Sequence, residues 1–145
     1  MFIEQLSIGD HVLVGGLDVT VTGLSNDGTV TYKDTLGKNN TTKIELVTPK
    51  RITPEFLRAN GFKDAKDDAS YDYILSNEQI EIGIILTPTV LKRAGIYVSN
   101  KMISYTIWAG NIHYKDFIEN NRSLFVHELQ HLMAAAGFKI QWTIV

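Results

Sequence analysis

SLFVHELQHLMAAAGF, residues 123–138, is the longest helical pattern in the chain and holds its one recognisable chemical motif. At about 100° per residue, Phe125, Leu129, Met133 and Ala136 fall on one side, with Leu132 and Val126 at its borders. Ser123 can cap the start with its hydroxyl, and Gly137 is a natural stop because glycine takes the left-handed conformation cheaply. The periodicity therefore predicts one main helix with an apolar stripe. The same wheel sets His127 and His131 opposite that stripe, with Gln130 and Ala134, on a face expected to be solvated.

His127-Glu128-Leu129-Gln130-His131 reads as H-E-x-x-H. Two imidazoles four residues apart on a helix can grip one zinc ion, with Glu128 as general base to a metal-bound water. A hydrolytic zinc site needs a third protein ligand as well. Only LMAAAGFKIQWTIV follows His131, with no His, Asp, Glu or Cys. His113, Asp116 and Glu119 lie upstream, in or near a segment that reads as a loop. No metal ligand and no catalytic residue are therefore expected. Zinc held by His127 and His131, with Glu128 as base, is the enzymatic alternative.

Working outward, residues 1–50 read as short strands and turns. Val19-Thr20-Val21-Thr22 and Thr29-Val30-Thr31-Tyr32 alternate apolar and polar, the period of a half-buried strand. Asn26-Asp27-Gly28 between them is a hairpin signal. Leu36 to Thr42 reads as a loop, and Lys43 to Val47 as a further strand. Short strands at this spacing predict a small barrel-like β lobe of the kind seen in KOW and Tudor modules. Thr48 to Arg51 is the expected boundary. In residues 51–145, Thr53-Pro54-Glu55 opens a short helix that Gly61 ends. Lys63 to Ser70 reads as a solvated loop. Tyr71–Leu75, Gln79–Leu86, Gly95–Val98 and Met102–Trp108 read as strands, Gly110-Asn111 as a turn, and Lys139–Val145 as a last strand. Ile80, Ile82, Ile84 and Leu86 share a face expected to lie under the Phe125–Leu129 stripe. The fold class is α+β: a β lobe, then an antiparallel sheet covered by one main helix, the two lobes either separate or sharing a core.

Composition narrows the functions. The chain has 145 residues, is 44% hydrophobic and carries a net charge of −2, so no basic surplus points to a DNA duplex or an anionic membrane. Without cysteine it has no disulfide, thiolate or iron–sulfur chemistry, which fits a reducing cytoplasm. No basic-then-apolar leader and no bilayer-length apolar run is seen. No Walker pattern, phosphate-cradling loop or nucleophile–base pair appears. Arg93, Tyr97 and Trp108, with Lys92 and Trp142 nearby in type, are the residues that could stack on a nucleotide and pair with its phosphates.

Several short motifs recur together: Leu6-Ser7-Ile8-Gly9-Asp10-His11-Val12, then Val-Thr-Gly and Asp-Gly-Thr-Val, then Ile52-Thr53-Pro54-Glu55-Phe56-Leu57 with Asn60-Gly61-Phe62, and finally Val126 to Leu132. In this the chain resembles small uncharacterised accessory proteins of Bacteroidetes phages and integrated elements. In that family the closing helix reads Val-His-x-Leu-Gln-Asn, so Glu128 and His131 lie outside its pattern. The resemblance implies a non-catalytic accessory protein in the cytoplasm of a bacterial host. It would act by binding a host protein or a small nucleotide signal, as an inhibitor of host defence, and could be a homo-oligomer. A structural phage component is a further alternative.

Overall fold

A computed structural model describes residues 3–65, 71–87, 95–100, 111–116 and 124–145, without side chains at 100 and 111–116. The chain groups into two compact units. One holds Met1–Arg51, Phe125–Gln130 and Ile144; the other holds Ile52–Leu124, His131–Thr143 and Val145. The secondary structure is mostly strand, in two antiparallel sheets, with one main helix.

The first unit is built on strands β1 (His11–Val14), β2 (Leu17–Leu24), β3 (Thr29–Asp34), β4 (Asn39–Lys43) and β5 (Val47–Pro49). They form one sheet in the order β4-β3-β2-β1-β5. The expected hairpin at Asp27-Gly28 joins β2 to β3. Gly28 sits at φ 88°, and Asp27 Oδ1 accepts from Thr29 N at 2.9 Å. Alternation puts Val12, Val19, Val21, Val30 and Val47 on one face, where Leu6 and Ile44 complete a buried cluster.

Strand order puts β4 and β5 at opposite edges, yet only Ile44–Leu46, a 3₁₀ turn, connects them. The step from Lys43 to Val47 reaches about 14 Å at most. Four strand spacings in a flat sheet would be about 19 Å. The sheet therefore curls, helped by the irregularity between Val21 and Gly23 on β2. Its edges are not paired with one another, so the sheet is open and a closed barrel is not formed.

Two expectations fail in this unit. Asn39–Lys43 is a strand, not a loop: it pairs residue for residue with Thr29–Lys33 although Asn and Lys are poor strand formers. Lys43–Val47 is not one strand. The 3₁₀ turn takes its middle, and pairing with β1 begins only at Val47.

The second unit opens with α1 (Pro54–Ala59), which follows the sequence reading closely. Thr53 Oγ1 accepts from Phe56 N at 3.1 Å, Pro54 takes the first turn, and Gly61 closes it at φ 90°. Strands β6 (Lys63–Asp64), β7 (Tyr73–Ser76), β8 (Ile80–Ile85), β9 (Gly95–Asn100) and β10 (Asn111–Asp116) form a sheet in the order β10-β9-β8-β7-β6. Ile82 and Ile84 of β8 pair with Val98 and Ile96 of β9 on one buried face. The Ser76-Asn77-Glu78 turn forms, with Asn77 Oδ1 accepting from Gln79 and Ile80. The Met102–Trp108 strand lies outside the described residues.

Three readings change here. Asn111–Asp116 is a strand, where Gly110-Asn111 suggested a turn followed by loop; the alternation of Ile112 and Tyr114 carried the strand signal. His113 and Asp116 are therefore strand residues. Lys63–Asp64 pairs briefly with β7. Lys139–Val145 is not a strand. Instead the Asn60 side chain holds it, donating to Thr143 O at 2.9 Å and accepting from Thr143 N at 2.6 Å. Trp142 stacks on Phe56 with centroids 5.9 Å apart.

The main helix, α2 (Val126–Ala135), is shorter than its apolar pattern. Gly137 stops it as expected, at φ 81°, with Phe138 N donating to Met133 O at 2.9 Å and Gly137 N to Ala134 O at 3.1 Å. Val126, Leu129 and Met133 are wholly buried, whereas Phe125 and Ala136 are half-buried. The buried arc is turned by roughly 70° from the expected stripe, toward Gln130. No described helix is long and apolar enough to cross a membrane.

Candidate functional site

The His-Glu motif meets two different environments along its single turn. His127 is buried, 6% exposed, with its ring 6.1 Å from that of Phe125 and nearly parallel to it. This corrects the expectation of a solvated imidazole: the turned helix brings position 127 inside. Glu128 and His131 are half-buried, and Glu128 Oε1 is shielded from solvent. Among the described residues, no three His, Cys, Asp or Glu side chains come together as a metal-ligand set. The side chains of His113 and Asp116, and the whole of Glu119, lie outside the described residues.

Gln130 shows why the helix is turned. Its carboxamide Oε1 accepts from His11 N at 2.8 Å and its Nε2 donates to Gly9 O at 3.0 Å. β1 pairs with β5 only from Val12 onward. At His11, where β5 has ended, the Gln130 amide supplies the donor and acceptor that another strand would have given. Just beside it, Val126 N donates to Lys50 O at 2.8 Å, and Arg51 bridges to Phe125. The helix start thus takes over where the strand stops.

That junction adjoins a buried polar group that sequence spacing does not reveal. Pairing of Leu13 with Asp18 and with Thr48 puts His11, Asp18 and Lys50 on the sheet face opposite the valine core. Lys50 is 8% exposed and its ammonium pairs with the Asp18 carboxylate. His11 is 5% exposed. Burial, then the neighbouring Lys50 charge, lower its pKa below the usual 6.5, against the opposing pull of Asp10 and Asp18. Asp10 Oδ2 accepts from Ser7 N at 2.8 Å and so fixes the turn before β1. An ammonium, a carboxylate and a neutral imidazole are chemically versatile. Here the ammonium and the imidazole are shut away from solvent and joined to the strand framework.

Of the proposed nucleotide-stacking residues, Arg93 and Trp108 lie outside the described residues. Tyr97 is half-buried on β9, opposite Gly83 of β8. Its ring tilts against that of Tyr71 with centroids 5.7 Å apart. A Cβ on Gly83 would come within 2.4 Å of the Tyr71 ring, so the bare backbone there is what lets the ring lie over the sheet. Trp142 is occupied by Phe56.

At the β6 end, a cavity of about 300 Å³ opens between Gly61, Lys63 and Ser76. Next to it Arg58 makes two bonds to Asp64, at 2.9 and 3.0 Å, and its guanidinium lies 5.8 Å over the Tyr73 ring. Those bonds hold the Asp64 carboxyl below its ordinary pKa. The chain matches no protein-family model, no curated protein and no solved structure.

Proposed function

We propose that this protein is a non-catalytic binding module, an accessory protein of a phage or integrated element that works in the cytoplasm of a bacterial host. The supporting observation is the use made of the one motif with catalytic potential. Gln130 serves as a substitute strand for Gly9 and His11, and His127 is buried against Phe125. These residues contribute to holding the helix on the curled sheet, which we take as a barrel-like lobe. The role that remains is recognition, of a small nucleotide signal or a host protein, with inhibition of host defence as the outcome. For a nucleotide, the Tyr71–Tyr97 ring pair over Gly83 offers an aromatic surface. Arg93 and Trp108 would supply the cation and a third ring.

A ligand that binds only the folded state raises the melting temperature. Cyclic oligonucleotides and ADP-ribose are the probes, tested on wild type and on Tyr97→Ala. The expected result is a stabilising shift with at least one of them that Tyr97→Ala loses. No shift with any nucleotide removes the signal-sequestering version and leaves the host-protein version.

A further inference from the structure

β4 is an open strand edge. The first sheet ends on it, and among the described residues no other strand or backbone group pairs with its outer side. Unpaired edges invite pairing, and proteins usually blunt them with shortness, proline, charge or a covering segment. The other described edges follow that rule, β10 with a break in its register between His113 and Lys115 and two charged residues, Lys115 and Asp116, at its end. β5 has three residues and ends in Pro49, where the helix start takes over. β6 has two residues, both charged. β4 has five residues, Asn39-Asn40-Thr41-Thr42-Lys43, with no proline, no irregularity in its pairing and a single charge at one end.

The hydrogen-bond phase of β4 is fixed by its flanks. Asp34 N donates to Lys38 O at one end, and Ile44 N to Gly28 O at the other. Bonding pairs alternate along an antiparallel ladder, so Asn40 and Thr42 bond inward to Tyr32 and Val30. Asn39, Thr41 and Lys43 therefore direct their amides and carbonyls outward.

We propose that β4 pairs antiparallel with β4 of a second copy of this chain about a twofold axis at Thr41, joining the two first sheets into one. In that register Asn39 meets Lys43 of the other copy and Thr41 meets itself. Every outward amide and carbonyl then finds a partner; a shift by two residues in either direction strands some of them. The side chains agree. Lys43 faces an asparagine, the threonines pair, and no like charges stand opposite one another. Beyond the strand ends, the turn with Leu36 meets the 3₁₀ segment with Leu46 of the other copy. These leucines are 92% and 62% exposed, so the pairing accounts for two of the chain's exposed large apolar residues. Exposed Lys38 and Glu45 come together there with opposite charge. The occupant is a second copy because the edge is complementary to itself in sequence, charge and bonding phase.

The test is the mass of the full chain in solution and its cross-linking. The expected mass is twice 16.3 kDa. Thr41→Pro removes an outward amide, which an edge strand tolerates, and should give the monomer mass with an unchanged circular dichroism spectrum. Paired Thr41 Cα atoms would stand about 5.5 Å apart, within reach of a disulfide. The chain has no cysteine of its own. Thr41→Cys should therefore form a covalent dimer on mild oxidation. Asn39→Cys should not cross-link to itself, but should do so when mixed with Lys43→Cys. If Thr41→Pro fails to fold, the cysteine series decides. A chain of monomer mass at every concentration overturns the proposal, and so does a complex in which a strand of another protein holds the edge. So does a dimer that Thr41→Cys cannot lock.

Discussion

The carboxamide of Gln130 donates to Gly9 and accepts from His11, inside a region where its own exposure is only 7%. Gln130→Ala leaves the buried His11 amide without its partner and removes the bond to the more exposed Gly9 carbonyl. Stranding such groups costs about 1–3 kcal/mol, so a loss of about 2 kcal/mol is expected in urea unfolding. His11 makes a separate prediction. Its folded-state pKa is lowered by burial and by Lys50, while the unfolded chain protonates near 6.5. Below that pH the unfolded state binds more protons, so stability falls as the pH drops below about 6.5 and levels off above it. Asp10 and Asp18 oppose the effect without reversing it. His11→Gln should flatten the dependence of stability on pH between 7 and 5.5, measured by urea unfolding at each pH. An unchanged slope would mean that other groups carry it.

Among the elements, those specified by their own residues were legible and those specified by a neighbour were not. α1 carries its cap at Thr53, its proline at 54 and its stop at Gly61 in one short stretch, and forms where that stretch predicts. The Asp27-Gly28 hairpin and the Asn77 turn are local in the same way. β4 has the composition of a loop and is a strand because β3 lies beside it. Lys139–Val145 has the alternation of a strand but takes its bonds from the Asn60 carboxamide. Asn60 and Gln130 thus play the same part, each an amide side chain standing in for missing sheet. Asn60→Ala should free the last residues. Limited trypsin digestion should then cut after exposed Lys139 about tenfold faster than in wild type, as a local opening loses roughly one such bonded anchor. An unchanged rate would show that the Trp142–Phe56 stack alone suffices.

For the molecule as a whole, the α+β class and the single main helix could be read in the sequence. The grouping of Phe125–Gln130 with Met1–Arg51 could not. It rests on bonds from Gln130 to His11 and from Val126 to Lys50, which no spacing along the chain announces. The apolar periodicity identified the helix correctly but misjudged its inward side, because a polar residue, Gln130, was needed at the sheet. The same bonds explain why His127 and Gln130, read as a solvated polar face, are buried.

The reading of His127 and Gln130 as parts of the fold is tested most directly by the metal content of the protein. The protein is purified without added metal, then incubated with zinc and dialysed, and its zinc is measured per chain. A binding module whose motif serves its own architecture retains no stoichiometric zinc at either stage. One zinc per chain, lost in a folded His131→Ala variant, would contradict this account and favour the zinc-hydrolase alternative.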